Sequence, residues 1–410
     1  MPRRFLIMVL LVACGPGCAR YLVETPNVLR DQNPHYVFAD CPADCQSADA
    51  PVLYATDRGD ANPAGDQPNY SFERSNRIAF GIANVRLHPH ATWPEVLRDS
   101  TQARRGREYE WKLAGIQEVG QVGTVMPRAT FGVSQAQAVE QPHLHQLLRN
   151  RLAATTQKDV YIFVHGFNTT FDRAAFRTAE VWHFMGRTGV PLAYTWPAGR
   201  GGIRGYAYDR ESGEFTVGHL RSVIKTVAEC PGVDRVHLVA HSRGCDITIS
   251  ALRELHLAYS AQNKTTGREL KLENLVLAAA DVDEDVFVQR FVGEGLLQVA
   301  NRTTIYASEH DRAIELSDIV FASRRRLGML GARDFAPRMK RALAKLPNVQ
   351  FIECKLSGLW IGHSYVFTHP AALSDLILVL RDRRPPGAEN GRPLRQPAEA
   401  VWELTDSYLR

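Results

Sequence analysis

No segment of this sequence is both long and apolar enough to cross a bilayer as a helix. The apolar run Phe5–Ala13 has nine residues, where a spanning helix needs about 20. Charge of one sign is also lacking. There are 49 basic against 44 acidic residues, a net +5. A nucleic-acid binder would carry a denser basic face on a recognisable module, so no nucleic-acid partner is expected. Cysteine is sparse, seven in 410 residues. A zinc site needs four ligands, and the pair Cys41 and Cys45 has no second pair nearby. His88-Pro89-His90 and His143-Leu144-His145 lack carboxylates at metal-site spacing, so no metal is expected. A glycine-rich phosphate loop is missing, and with it any sign of a nucleotide cofactor. No internal repeat is visible. What remains is ordinary: 45% hydrophobic and 23% charged residues. That balance excludes a mostly disordered chain, a collagen-like fibre and a multispanning membrane protein.

The N-terminus reads as an export signal over residues 1–18. Arg3 and Arg4 precede the apolar run, as in a secretory signal. The run ends Leu11-Val12-Ala13-Cys14, which resembles the bacterial lipobox. That resemblance implies lipidation of Cys14 and a membrane anchor without a transmembrane helix, and so a place in the cell envelope. Cys18 fits the pattern poorly. Residues 19–50 are polar and punctuated and read as a tether. Cys41 and Cys45 are spaced for a local disulfide in an oxidising compartment. Cys230 and Cys245 read as small buried hydrophobes.

From residue 51 to 383 the pattern is that of one large domain. Val52–Arg58 and Ile78–Leu87 read as strands. Val160–Val164 is a short, unbroken apolar run, as expected for a strand buried on both faces. Pro191–Trp196, Val236–Ala240, Leu275–Ala280, Thr303–Ala307 and Val349–Cys354 follow as further strands. Helical stretches stand between them at 172–187 and 244–257, with a last one at 371–380. A further helix carries Val217, Leu220, Ile224 and Val227 on one stripe. Strands alternating with helices predict a three-layer α/β fold, a mostly parallel sheet with helices on both faces. Arg312 to Lys345 holds nine basic and three acidic residues, and residues 312–348 read as a basic cap insert. The loop Gly199–Gly205 reads as another wall of the site. Residues 384–410 read as a loose tail, although Val401-Trp402-Glu403-Leu404 has the pattern to dock back.

The chemistry falls on strand ends. Ala240-His241-Ser242-Arg243-Gly244 stands between a buried strand and a helix. A sharp turn there lifts a serine hydroxyl above the sheet edge, and small residues are needed at −2 and +2. A serine needs a base to take its proton, and an imidazole oriented by a carboxylate supplies it. Downstream, Asp311 follows the strand Thr303–Ala307, and Asp281 and Asp283 follow the strand before it. Asp311 is the expected acid. Asp283 and Asp281 read as helix caps. Gly362-His363-Ser364-Tyr365 follows the last strand and makes His363 the expected base, with His369 its rival. Oxyanion donors are expected from the amides of Phe167 and Arg243. His165, Gly166 and Asn168 read as the supporting loop.

These motifs resemble the α/β-hydrolase superfamily, in the bacterial lipase- and esterase-like group of unknown function. The resemblance rests on Leu53–Arg58, Phe163–Asn168, Thr195-Trp196-Pro197, Tyr208 with Asp209, Ala240–Gly244, Ser308–Asp311 and Gly362–Tyr365. It implies a serine hydrolase cleaving a carboxylic ester, with an ester or acyl substrate; the basic insert on a membrane-tethered chain points to phospholipid or another anionic ester as that substrate. Arg243 departs from the methionine common after the nucleophile in that group. Two rivals stand beside it. One is an acyltransferase using the same triad, and the other a non-catalytic envelope lipoprotein acting as a binding module.

Overall fold

The structure, a computed structural model, describes residues 20–122, 135–311, 326–331, 343, 345–357 and 362–410. Cys14, Cys18 and most of the 312–348 insert lie outside the described residues.

The described strands form a single sheet. They are β1 (Asp49–Asp60), β2 (Tyr70–His88), β3 (Glu110–Val122), β4 (Asp159–Val164), β5 (Val190–Thr195), β6 (Arg235–His241), β7 (Leu272–Ala278), β8 (Arg302–Ala307), β9 (Val349–Lys355), β10 (Arg395–Ala398) and β11 (Val401–Thr405). Their order across the sheet is β10-β11-β9-β8-β7-β6-β4-β5-β1-β2-β3. Every pairing from β11 through to β1 is parallel. The long hairpin partners β2 and β3 add antiparallel strands at one edge, and β10 adds one at the other. Val164 at the end of β4 pairs with Ala240 of β6. The loops that leave β4 and β6 therefore emerge side by side.

The period of two along each strand separates two apolar layers. Val160, Ile162 and Val164 pack with helices α1 (Gln135–Ala153), α3 (Gly202–Glu229) and α4 (Arg243–Ser260). Tyr161 and Phe163 face the other way, onto α2 (Phe171–Phe184) and α5 (Pro370–Leu380). This is the expected three-layer architecture. The stripe Val217, Leu220, Ile224 and Val227 of α3 lies wholly in the first layer.

Two terminal expectations are corrected. The supposed tether is packed from Arg20 on. Leu29 and Cys45 are each 1% exposed, and Leu22, Val37 and Phe38 join the second apolar layer. Its backbone is tied in as well, with Val28 N donating to Ser374 Oγ at 3.0 Å and Leu22 N to Tyr109 O at 2.9 Å. Its apolar residues follow no period because the chain runs over α2 and α5 in short turns, so they read as a polar linker. Cys41 and Cys45 are free, buried thiols rather than a disulfide.

The C-terminal tail is not loose either. Residues 401–405 pair in parallel with β9, as the docking pattern suggested. Arg392, fully buried, donates to both oxygens of the buried Asp375, each at 2.7 Å. Tyr306 and Tyr408 hydroxyls also donate to Asp375, at 2.7 Å each. Arg392→Met leaves that carboxylate without its charge partner. The expected cost is about 3–5 kcal/mol, read as a lower urea midpoint with unchanged slope.

Candidate active site

Ser242 sits between the end of β6 and the first residue of α4, at φ 54° and ψ −124°. A serine at positive φ is strained, typically by about 1–3 kcal/mol, and persists only where its surroundings fix it. Three backbone hydrogen bonds fix it here. Ser242 N donates to Ala278 O at 3.0 Å, and Ser242 O accepts from Cys245 N at 3.0 Å and Asp281 N at 3.2 Å. The turn brings α4 hard against the loop after β4. A Cβ on Gly244 would stand 2.4 Å from His165 O and 2.6 Å from Val164 O. That is the physical reason for a glycine two residues after the serine. Ala240, two before it, is wholly buried.

The expected acid and base meet. Asp311, wholly buried, follows β8, and His363 follows β9. His363 Nδ1 lies 2.8 Å from Asp311 Oδ2. Burial, the largest effect on the His363 imidazole, pulls its pKa down, but the charge and hydrogen bond of Asp311, aided by Asp281, overcome it and hold the group above its ordinary value. His241 Nε2 donates to His363 O at 2.9 Å, and the two rings lie 4.8 Å apart. Burial first, and then the nearby His363, push His241 down to about 3, so it stays neutral. His363 is thus held beside the residue that precedes Ser242. In this cluster His363 Nδ1 donates to Asp311 and His241 Nε2 donates to His363 O. Among the described residues no bond joins Ser242 Oγ to His363, and such contacts often tighten only with substrate.

The rivals have other partners. Asp283 caps a short helix, accepting from Asp285 N and Val286 N. His369 accepts from Ala371 N at the start of α5 and reaches Asp406 at 3.1 Å. Asp281 was read as a cap but lies beside Ser242, with Arg326 Nε 3.5 Å from its carboxylate.

The loop after β4 faces the serine. A Cβ on Gly166 would come within 2.7 Å of Ser242 Cβ. Asn168 holds the left-handed region at φ 51°. His165 supports this loop as expected. It is buried, stacked on Trp196 at 5.0 Å, and bonded through Nδ1 to Gly166 O at 2.8 Å, while Nε2 accepts from Trp196 N at 3.0 Å. Burial, with Arg58 close by, keeps it neutral. Arg58 donates to Thr169 O and Ala198 O, each at 2.7 Å. Asp209 accepts from Asn168 N at 2.9 Å and Gly199 N at 3.2 Å. Arg58 and Asp209 together staple the loop after β4 to the loop after β5. Neither role was assigned from sequence, although both residues stand in the motifs that carried the resemblance.

A cleft of about 370 Å³ opens beside Arg243, the residue that follows the serine. Its lining includes Phe167, Arg243 and Asp281, together with Tyr206 and Asp209 from the first turns of α3. No residue of Gly199–Gly205, the expected wall, is among the described residues that line this cleft; α3 begins at Gly202, and Tyr206 and Asp209 farther along it take that place. The Arg243 guanidinium lies between Asp246 at 3.1 Å and Glu214 at 3.4 Å. Among the described residues, no group of three or more His, Cys, Asp or Glu is placed to hold a metal ion.

A family model described as "Alpha/beta hydrolase of unknown function (DUF900)" matches residues 140–383. No curated protein matches the chain. Among solved structures, AbyA5 wildtype is similar at 14% identity with a TM-score of 0.22; the match covers 56% of this chain and 62% of that one.

Proposed function

The chain belongs to the DUF900 family of alpha/beta hydrolases, and from that premise we propose that it is a serine hydrolase cleaving a carboxylic ester. One observation carries the reading. A serine at positive φ stands between β6 and α4, and the ring of His241 just before it donates to the backbone of a histidine bonded at 2.8 Å to a buried aspartate.

In the proposed cycle Ser242 Oγ attacks the ester carbonyl. His363 Nε2 takes the serine proton, while Nδ1–H stays bonded to Asp311, which stabilises the imidazolium. The amides of Phe167 and Arg243 donate to the oxyanion. The alcohol leaves with the proton from His363. Water, deprotonated by the same histidine, then frees the acid and restores the serine. The hydroxyl is a nucleophile only while His363 is neutral, because the protonated ring has no lone pair to accept the proton.

The reading extends to location. Cys14 is proposed as a lipidation site that anchors the enzyme in the cell envelope. Among the described residues, no helix is long and apolar enough to cross a membrane. Metabolic labelling with an alkyne fatty acid tests the anchor, with label expected on the wild type and lost in Cys14→Ser.

The test of the chemistry is labelling with a fluorophosphonate probe, which reacts with activated serines. Label on the folded wild type is expected. Its absence would overturn the proposal.

A further inference from the structure

We infer that His241 is a positioning residue of the proposed reaction: its ring, bonded to the backbone of His363, sets the spacing between the nucleophile and the base. This rests on the serine-hydrolase reading and goes beyond it, since no step of the proposed cycle uses the His241 side chain.

Among the described residues, two hydrogen bonds tie His363 to distant parts of the chain. Its Nδ1 is bonded to Asp311 Oδ2 at 2.8 Å, and its carbonyl accepts from His241 Nε2 at 2.9 Å. The two differ in effect. A ring held at Nδ1 alone still pivots about that bond, and its Nε2 swings past the serine. Holding the backbone as well removes that freedom. No bond joins Ser242 Oγ to His363 directly, so their spacing is set by the frame that carries each of them.

His241 is the shortest member of that frame. It directly precedes Ser242, whose backbone is locked by three hydrogen bonds. From there the ring reaches the segment of the base at two places. One is the His363 carbonyl, and the other is the Phe367 ring, met edge-on at 5.4 Å. Phe367 in turn meets Phe163 of β4 edge-on at 5.4 Å. The His241 ring also lies against the loop after β4, where a Cβ on Gly166 would stand 3.2 Å from its Nδ1. One ring thus touches the elements that carry the nucleophile, the base and the proposed oxyanion donor Phe167. A carbonyl only accepts, so the His241 proton sits on Nε2. Burial first, and then His363, push the His241 pKa down to about 3. The donor therefore keeps one form wherever His363 is able to act as base.

The experiment follows hydrolysis of p-nitrophenyl acetate by the full chain, wild type beside His241→Leu and His241→Gln. Leucine fills much of the space and has no N–H. A glutamine amide places an N–H near where the imidazole Nε2 stood. Rates are taken per fluorophosphonate-labelled site, so a smaller folded fraction does not count as a lower kcat. His241→Leu is expected to lower kcat about 10²-fold, the scale of a misplacement near 1 Å, with KM within about threefold of wild type. His241→Gln is expected to recover about tenfold or more of that loss. The acid limb of kcat/KM should keep its midpoint in both variants, because Asp311 still holds the His363 ring. Three results would each overturn the inference. The first is a kcat for His241→Leu close to that of the wild type. The second is a glutamine variant as slow as the leucine one, since the donor would then not matter. The third is an acid limb moved to lower pH, since His241 would then act on the charge of the ring rather than its place. In all three the wild type would still take label at Ser242, and the serine-hydrolase reading would stand. Absence of label on folded wild type would remove that reading instead.

Discussion

Ser242→Ala is expected to lower kcat by about 10⁶-fold and to abolish fluorophosphonate labelling while the protein stays folded. The magnitude follows from removing the nucleophile of a unit whose members act together. Residual turnover of about 10³–10⁴ over water would come from the oxyanion donors and binding alone. The substitution removes a hydroxyl from a residue that is 4% exposed and leaves its strained backbone to be held by the same three hydrogen bonds. Circular dichroism and the urea midpoint should therefore match the wild type. Full turnover by this variant would sink the mechanism.

Asp311→Asn is the second large effect, an expected drop in kcat of about 10⁴-fold. The asparagine can accept or donate at the same place, but it supplies no charge to the imidazolium. The pH dependence gives the sign. Asp311 holds the His363 pKa above its ordinary 6.5, and only the neutral ring can act as base. The acid limb of kcat/KM in the wild type should therefore have its midpoint above pH 6.5, with activity falling as pH drops through it. In Asp311→Asn the charge that raises the group is gone while burial remains. The limb should move to lower pH, measured on the residual activity or by NMR titration of the ring. The stability effect has the opposite sense. A raised histidine pKa favours the folded state below about pH 6.5, and that contribution fades as pH rises through the folded value. A limb that stays put in the variant would argue that Asp311 does not face the working histidine.

The sheet and the candidate triad were legible because both depend on local pattern. Val160–Val164 reads as a buried strand from five apolar residues in a row, and Ser242 from its place between such a strand and a helix. Asp311 and His363 were chosen by chain order after named strands, and the 2.8 Å bond between them joins residues 52 positions apart. What could not be read depends on contacts with no period in the sequence. Leu22 and Phe38 are buried against α2 and α5, which no reading of a Pro- and Asn-punctuated stretch reveals. Arg392 looks like one more charge in a Pro- and Gly-rich tail, and its burial depends wholly on Asp375 and two tyrosines. The stapling role of Arg58 and Asp209 exists only where two loops meet. A lone arginine at a strand end followed far downstream by an aspartate gives no local signal for it.

The order in which the chain is made gives the sheet's outer edge a meaning of its own. β9 is synthesised well before the strand that covers it, since Val401–Thr405 pairs with Phe351–Lys355. A nascent chain stalled between His363 and Val401 already carries Ser242, Asp311 and His363, yet shows β9 as a bare ladder of unpaired amides and carbonyls. Such an edge invites pairing with another chain. Once β10 and β11 are in place, the edge among the described residues is the short β10, with Pro397 in it, a residue with no N–H to offer a newcomer. Residues 401–405 thus separate a chain with β9 covered from one broken off before them that has the same reactive groups, and the broken-off chain is marked for aggregation or proteolysis by the edge it leaves open.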